Sequence, residues 1–527
     1  MRPFQQLRLW LRSGPTAERT LTGIAGLVVL ALVVWAALPT LSPDSPTDAL
    51  TGAPLTGNQT ASTGAAQNAA SGTAAGSPAG AAAAGAVAPE ASVAGRPAAG
   101  GTALGVTRGR GGAAVSGVGA STGTGCLTAA AGQGITSTTI QVGVILPTIG
   151  ALNSAIGIPS ADDQKKGYNA VFADINKRGG AQCRKLVAKF YEDNPLDPST
   201  GQAACLQIQQ DKVFAVINNL FNSAVSTCVA QAKVPNFWYT TPHVNQIQKY
   251  APYILSFQAD YDRLITSYVR GAKAVGWFSG MKRIGILDQT CYPDLSAKLR
   301  SELTAVGYPS STWEVYNYGC STSGTGQEPD KDTAAAVQFQ RAGVTHVLST
   351  AYGKSSQFAK AAEQQNYRPK YAVMSDAQIQ ANNHTNPPQV QSFDGALDIT
   401  SDQIGSLDTP GYKHTAATLA CRKVIKDAGL PDILDSSQGT GGTLYGVACV
   451  SSKMLVAALA NIPVLQRSAL AAGLAKAGNL ELSFPAGPSI FDNAANPTGD
   501  QFWRPAAFHS SCNCWQVTSV AWRKGFA

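Results

Sequence analysis

From residue 138 onward the chain alternates short apolar runs with stretches whose apolar positions recur at helical spacing. Residues 139–146 (TIQVGVIL) are rich in β-branched side chains and predict a buried strand, ended by Pro147 and Gly150. Over 162–177, Tyr168, Val171, Phe172 and Ile175 share one helical face, and Gly179-Gly180 stops that helix. A strand over 185–191 follows, closed by Asp193-Asn194-Pro195, then a helix over 200–211, a strand over 213–218, a helix over 223–232 and a strand over 236–239. The pattern pauses at 254–261 and restarts. Helices are expected over 263–275, 295–306, 333–342 and 355–365, and strands over 283–288, 312–318, 345–350 and 370–374. Two successive arrays of this kind predict two parallel sheets covered by helices. Beyond Gly395 come long helices near 413–428 and 443–460, and a β-like stretch over 502–520.

The first 135 residues read differently. Residues 21–38 are apolar, interrupted only by Thr22, Gly23 and Gly26; Arg2, Arg8, Arg12 and Arg19 precede them against the single acid Glu18. That asymmetry puts residues 1–20 in the cytoplasm and 21–41 in the membrane as an anchor, with cleavage as a signal peptide after Val34 and Ala36 as the alternative. Residues 42–135 lack aromatic residues and lysine and consist largely of Ala, Gly, Ser, Thr and Pro. Such a composition buries too little apolar surface to offset the entropy of ordering, and predicts a disordered tether.

Composition narrows the function classes. The net charge is +8, but no Lys/Arg run exceeds two residues, which argues against nucleic acid as a partner. All ten cysteines lie beyond the apolar segment, on the exported side, where disulfides form. Successive strands are usually neighbours, so Cys291 with Cys320 is the first expected pair; Cys421 with Cys449, on helices that should pack together, is the second, and Cys205 with Cys228 the third. His509, Cys512 and Cys514 suggest a metal site, but three ligands close in sequence fit a disulfide or an ordinary strand better, and no metal is expected. The chain has no G-x-S-x-G and no H-E-x-x-H, and Gly439 to Gly442 (GTGG) lacks the Lys-Ser/Thr of a phosphate loop. Neither an enzyme nor a cofactor is expected.

The ordered set DINKRGG (174–180), YEDNP (191–195), VFAVINNLFNSA (213–224), VPNFWYTTP (234–242) and RIGILD (283–288) resembles the leucine/isoleucine/valine-binding type I family of periplasmic binding proteins, the substrate-binding proteins of ABC transporters. The resemblance covers about 138–520. It implies an α/β fold of two doubly wound parallel-sheet lobes joined by three crossover strands, with ligand in the cleft between them. The implied division is lobe 1 over 136–257, lobe 2 over 258–396, a return to lobe 1 over 397–487, and a crossover with return to lobe 2 over 488–527. Crossovers are expected near 257–260, near 395–399 and after Gly487.

In doubly wound sheets ligands sit beyond the carboxyl ends of the strands, where helix N-termini offer free N–H groups. Asn222 and Ser223, before a helix, are candidates for a carboxylate, although an ordinary N-cap fits them equally. Thr241 and His243 follow the next strand; the family places small residues there, so His243 narrows the pocket. Tyr352 matches in position a family tyrosine that contacts ligand. Asp376 matches an acid that pairs with the ligand's ammonium. The loop 147–154 also lines the family's cleft. The implied ligand is a small polar molecule such as a leucine-like amino acid, an amide, urea or an aromatic acid, and the implied partners are ABC permease subunits. A ligand-sensing ectodomain working through a separate membrane protein shares the fold and is the alternative.

Overall fold

The computed structural model describes residues 126, 132–150, 153, 157–219, 223–290, 293–319, 328–350, 354–374, 391–402, 405–438, 440–483, 487–499 and 502–525. The expected cytoplasmic segment, the membrane segment 21–41 and the tether up to 125 lie outside these residues.

The first sheet is fully parallel: β1 (Thr139–Pro147), β2 (Lys185–Asp193), β3 (Ala215–Asn218), β4 (Asn236–Trp238) and β5 (Ile254–Ser256), in the order β2-β1-β3-β4-β5. Its helices are α1 (Ala161–Lys177), α2 (Pro198–Asp211), α3 (Ser223–Gln231) and α4 (Val244–Tyr250). Local chemistry fixes the ends of α1. The Ser160 hydroxyl accepts from the Asp163 N–H at 3.1 Å, and Asp162 and Asp163 occupy the positive first turn. Gly180, at φ +71°, donates its N–H to the Ile175 carbonyl at 3.0 Å, and a Cβ there would lie 2.1 Å from the Arg184 carbonyl oxygen. Only glycine fits that stop.

The second lobe repeats the theme. It contains α5 (Tyr261–Ala274), β6 (Ile284–Asp288), α6 (Pro293–Ala305), β7 (Trp313–Asn317), α7 (Pro329–Arg341), β8 (His346–Ser349), α8 (Lys354–Gln364), β9 (Lys370–Met374) and β10 (Leu397–Thr400). The parallel part runs β7-β6-β8-β9-β10, the same winding as in the first sheet. The chain then returns through α9 (Ala416–Asp427), α10 (Thr440–Ala460) and α11 (Leu470–Ala477), whose Cys421, Ile425, Leu455, Leu459, Leu470 and Leu474 join the core beneath β1 and α1. A small antiparallel pair, β11 (Gly478–Glu481) with β12 (Pro488–Phe491), follows. Finally β13 (Phe502–His509) and β14 (Cys514–Val517) extend the second sheet antiparallel beyond β10, and β15 (Arg523–Lys524) pairs with β13.

Three expected boundaries are corrected. Residues 397–400 are not the start of the return: β10 is buried throughout between β9 and β13, so the second crossover is 401–415. Residues 488–491 are not a crossover, because β12 pairs with β11 and Phe491 lies in the first lobe's core. The tether does not run to 135: Ile135 bridges to Ile140 and packs on that core, Gly134 accepts from the Gln141 N–H at 2.8 Å, and Cys126 is disulfide-bonded to Cys183.

Cys205–Cys228 and Cys421–Cys449 form as expected, with Cα atoms 6.2 and 5.9 Å apart. Cys291 and Cys320 lie outside the described residues. Cys512 and Cys514 are bonded to each other, in line with the preference there for a disulfide over a metal site. The apolar stretch Gly442–Ala460 is long enough to cross a membrane, but 67% of it is buried inside the protein as a core helix.

One surface pair gives a pH prediction. Arg422 Nε donates to both Asp432 oxygens at 2.8 and 2.9 Å, and this contact brings the Asp432 carboxyl down to about 2. A depressed folded value means the stabilisation is complete above the ordinary carboxylate range and disappears as pH falls toward 2. Arg422 is 38% exposed, so solvent screens the pair to about 0.5–1 kcal/mol. Asp432→Asn should therefore lower the urea midpoint at pH 7 and leave it unchanged near pH 2. An equal loss at both pH values would assign the effect to packing instead.

Candidate functional site

A sheet wound in this order has one switch point, where successive connections depart to opposite faces and leave a crevice at the carboxyl ends. In the first lobe it lies between β1 and β3, in the second between β6 and β8. The loop after β3 leads to Ser223, the first residue of α3, and the loop after β8 contains Tyr352. Asn222, Tyr352 and Asp376 lie outside the described residues. In the sequence they come shortly after β3, β8 and β9.

The two carboxyl ends face each other. His243, the N-cap of α4 in the first lobe, brings Nδ1 to 2.8 Å from Asp294 Oδ2 in the first turn of α6 in the second lobe. Its ring also packs on Tyr261 of α5, with centroids 4.7 Å apart. Beside this contact Asp262 is pushed above the usual carboxylate range by burial, with Asp260 and Asp294 adding to the rise and Lys298 and His243 opposing it. Thr241 is 2% exposed and its hydroxyl donates to Gln258 Oε1 at 2.5 Å, which ties the loop after β4 to the first crossover. Thr241 and His243 are thus already engaged inside the protein, His243 across the lobes.

Three buried groups at the carboxyl end of the first sheet were not foreseen. Gln164, in the first turn of α1, donates Nε2 to the Pro147 and Pro159 carbonyls at 3.0 and 2.9 Å, while its Oε1 has no hydrogen-bond partner among the described residues. Asp193, ending β2, accepts from the Thr200 hydroxyl at 2.7 Å through Oδ1 and leaves Oδ2 without one. Burial pushes its carboxyl up, and the Thr200 hydrogen bond opposes this. Asn219 follows β3; its Oδ1 accepts from Tyr168 at 2.7 Å, and its Nδ2 is buried without a partner. Unspent polar groups in a core are costly and call for an explanation. For Asp193 and Asn219 the signal in the sequence is a polar residue at the end of an apolar strand; Gln164, inside α1, gives none. In the second lobe Asp288 ends β6, the counterpart of β1, and its carboxylate accepts from the Gln289 N–H and from Arg300, each at 2.8 Å, and from Ser296.

The lobes are joined around a second buried acid. Asp260 caps α5, accepting from the Arg263 N–H at 3.1 Å, and pairs with Arg263 Nε at 2.7 Å. Asn496 Nδ2 in the third crossover donates to it at 3.0 Å. Burial opposes ionisation here, but Arg263 and the hydrogen bonds outweigh it and hold the carboxyl below its ordinary value. Ser256 and Thr498 form a parallel bridge, and Gly499 approaches so closely that a Cβ would lie 2.3 Å from the Phe257 oxygen.

This architecture is shared with solved structures. The fatty acid ABC transporter substrate-binding protein from Thermomonospora curvata aligns over 77% of this chain and 96% of its own, at TM-score 0.55 and 15% identity. The solute binding protein of an ABC transporter from R. palustris, in complex with 4-hydroxybenzoate, covers 73% and 97%, at TM-score 0.54 and 16% identity. A possible leucine/isoleucine/valine-binding protein from Rhodopirellula baltica SH 1 covers 73% and 97%, at 0.52 and 16%. These likenesses establish a common fold. No curated protein matches the chain. The sequence profile of the periplasmic binding protein family matches residues 139–503, from β1 to the start of β13. With both wound sheets and their connecting segments inside that match, the chain belongs to the periplasmic binding protein family.

Proposed function

We propose that this chain is an extracytoplasmic solute-binding protein, held at the membrane by residues 21–41, that closes its lobes on a small polar carboxylate or amide and passes it to the permease subunits of an ABC importer. The observation that carries the reading is the buried set at the carboxyl end of the first sheet, Gln164 Oε1, Asp193 Oδ2 and Asn219 Nδ2, each without a partner among the described residues. A ligand with its own donors and acceptors would satisfy them. The start of α3 at Ser223, with Asn222 before it, supplies N–H groups to a carboxylate. Tyr352 and Asp376 contribute from the second lobe, and Thr241 and His243 shape the wall between. Fatty acid, 4-hydroxybenzoate and leucine, named for three structural neighbours, all carry a carboxylate.

The test is a thermal-shift screen of the full chain against amino acids, amides, aromatic carboxylates and fatty acids. A compound that binds only the folded state raises the melting temperature with its concentration. Asn219→Leu should abolish the shift for that compound. If no carboxylate or amide raises the melting temperature at millimolar concentration, the reading fails.

A further inference from the structure

The tip of the β13–β14 hairpin carries a feature that ligand binding does not use. Cys512 and Cys514 are disulfide-bonded across a sequence separation of 2, whereas the other disulfides among the described residues span 57, 23 and 28 residues. A cross-link stabilises chiefly by restricting the unfolded chain, and more for longer loops, so a bond between near neighbours restricts it little. Nor does the hairpin depend on it. Four residue pairs from Ala506↔Val517 to His509↔Cys514 hold the strands in register. Trp515 and Phe508 are fully buried, with ring centroids 5.5 Å apart. The Ser510 N–H donates to Asp394 at 2.7 Å and the Val517 N–H to the Thr409 hydroxyl at 2.9 Å. The bond is therefore free to open without loss of the fold.

Its two sulfurs are not equivalent. Cys512 is exposed in the turn, while Cys514 is 2% exposed at the start of β14. The side-chain amide of Gln516 lies against both, with Nε2 4.0 Å from Cys512 Sγ and 3.9 Å from Cys514 Sγ. An N–H so placed stabilises negative charge on whichever sulfur leaves. The tip also lies far from the cleft. β13 runs antiparallel to β10, with Ala507 beside Leu397 at the amino end of β10, so the hairpin turn emerges at the pole opposite the strands' carboxyl ends.

We propose that Cys512–Cys514 is a thiol–disulfide exchange site for dithiols that can reach the hairpin tip. The thiolate of the incoming dithiol attacks the exposed Cys512 Sγ. A bond forms between the two sulfurs, the Cys512–Cys514 bond breaks, and its electron pair leaves on Cys514 Sγ, which the Gln516 amide faces and water protonates. The second thiol of the dithiol then attacks its own sulfur in the mixed disulfide and expels Cys512 as thiolate. The dithiol is oxidised to a disulfide, and this pair is reduced by two electrons. The reverse sequence reforms the bond. This site is independent of the ligand proposed for the cleft.

The experiment treats the full chain with graded dithiothreitol, or with a short peptide bearing two thiols, under native conditions. Alkylation and peptide mapping follow, with circular dichroism recorded on the same samples. The expected result is double alkylation at Cys512 and Cys514 while Cys205–Cys228 and Cys421–Cys449 stay closed and the spectrum is unchanged. Reaction with both reagents or with either supports the site, and their relative rates say whether a small molecule or a peptide is the better substrate. In single variants that keep the wild-type spectrum, Cys514→Ser should react with glutathione disulfide at least about tenfold faster than Cys512→Ser, because only the former leaves an exposed thiol. Opening of Cys512–Cys514 only together with the other disulfides, or equal rates in the two variants, overturns the proposal.

Discussion

Asp260→Ala is expected to lower the stability of the chain by about 3–5 kcal/mol, the range for removing one partner of a buried ion pair. The carboxylate is 1% exposed. It caps α5, pairs with Arg263 and accepts from Asn496. Alanine removes the cap and leaves Arg263 Nε and the Asn496 amide without their acceptor, while the other end of the guanidinium keeps only the neutral oxygens of Thr498. Asp260→Asn retains a carbonyl oxygen for the cap and should cost less than alanine. Urea unfolding followed by circular dichroism measures both. A loss below about 1 kcal/mol for Asp260→Ala would mean that water replaces the carboxylate and that the junction is less dry than its burial implies.

Asp376→Asn is expected to weaken binding of a zwitterionic ligand by roughly ten- to a hundredfold, given that hydrogen bonds to charged groups are worth about 1.5–3 kcal/mol. Asp376 belongs to the segment after β9, the strand beside β8 on the far side of the second switch point. In the proposed site it neutralises the ammonium end, while Asn219 and the start of α3 hold the carboxylate in the other lobe. Ligand then bridges the lobes, so binding and closure are one event. Ser223→Ala should cost less, because the backbone N–H groups at the helix start remain. Titration calorimetry with a compound from the screen decides the matter. Unchanged affinity in Asp376→Asn would make the acid a helix cap and move the ammonium site elsewhere.

The alternation of strands and helices was legible because each buried strand is a continuous β-branched or aromatic run and each helix shows a 3.6-residue face. Short elements were less legible. Ile254–Ser256 and Val244–Tyr250 are too brief for periodicity to speak, and Leu397–Thr400 looked like a connection although tertiary pairing on both sides makes it a central strand. The site divided the same way. Loops after strand ends can be named from sequence, but the engagement of His243 with Asp294, 51 residues later, depends on how two lobes meet. Asp193 and Asn219 are visible as polar residues at strand ends, but Gln164 lies in the first turn of α1, and only burial reveals which of their atoms are unspent. The disulfides obeyed distance: Cys205–Cys228 and Cys421–Cys449 join neighbouring helices, whereas Cys126 sits in a segment whose composition argues for disorder.

The interleaving of the lobes along the chain sets the order in which they can form. The core under β1 takes α10 and α11 from 440–477, and the second sheet takes β13 and β14 from 502–517. Gln182 donates to the Leu459 carbonyl across 277 residues, and Arg467 donates to Phe214 across 253. A chain emerging from its amino end therefore leaves one apolar face of the first sheet uncovered, and the edge of the second sheet at β10 unpaired, until these later elements arrive. Neither lobe can finish alone, and high contact order makes the search slow. Such a polypeptide stays open, and in need of protection from aggregation, until the strands up to Val517 are available.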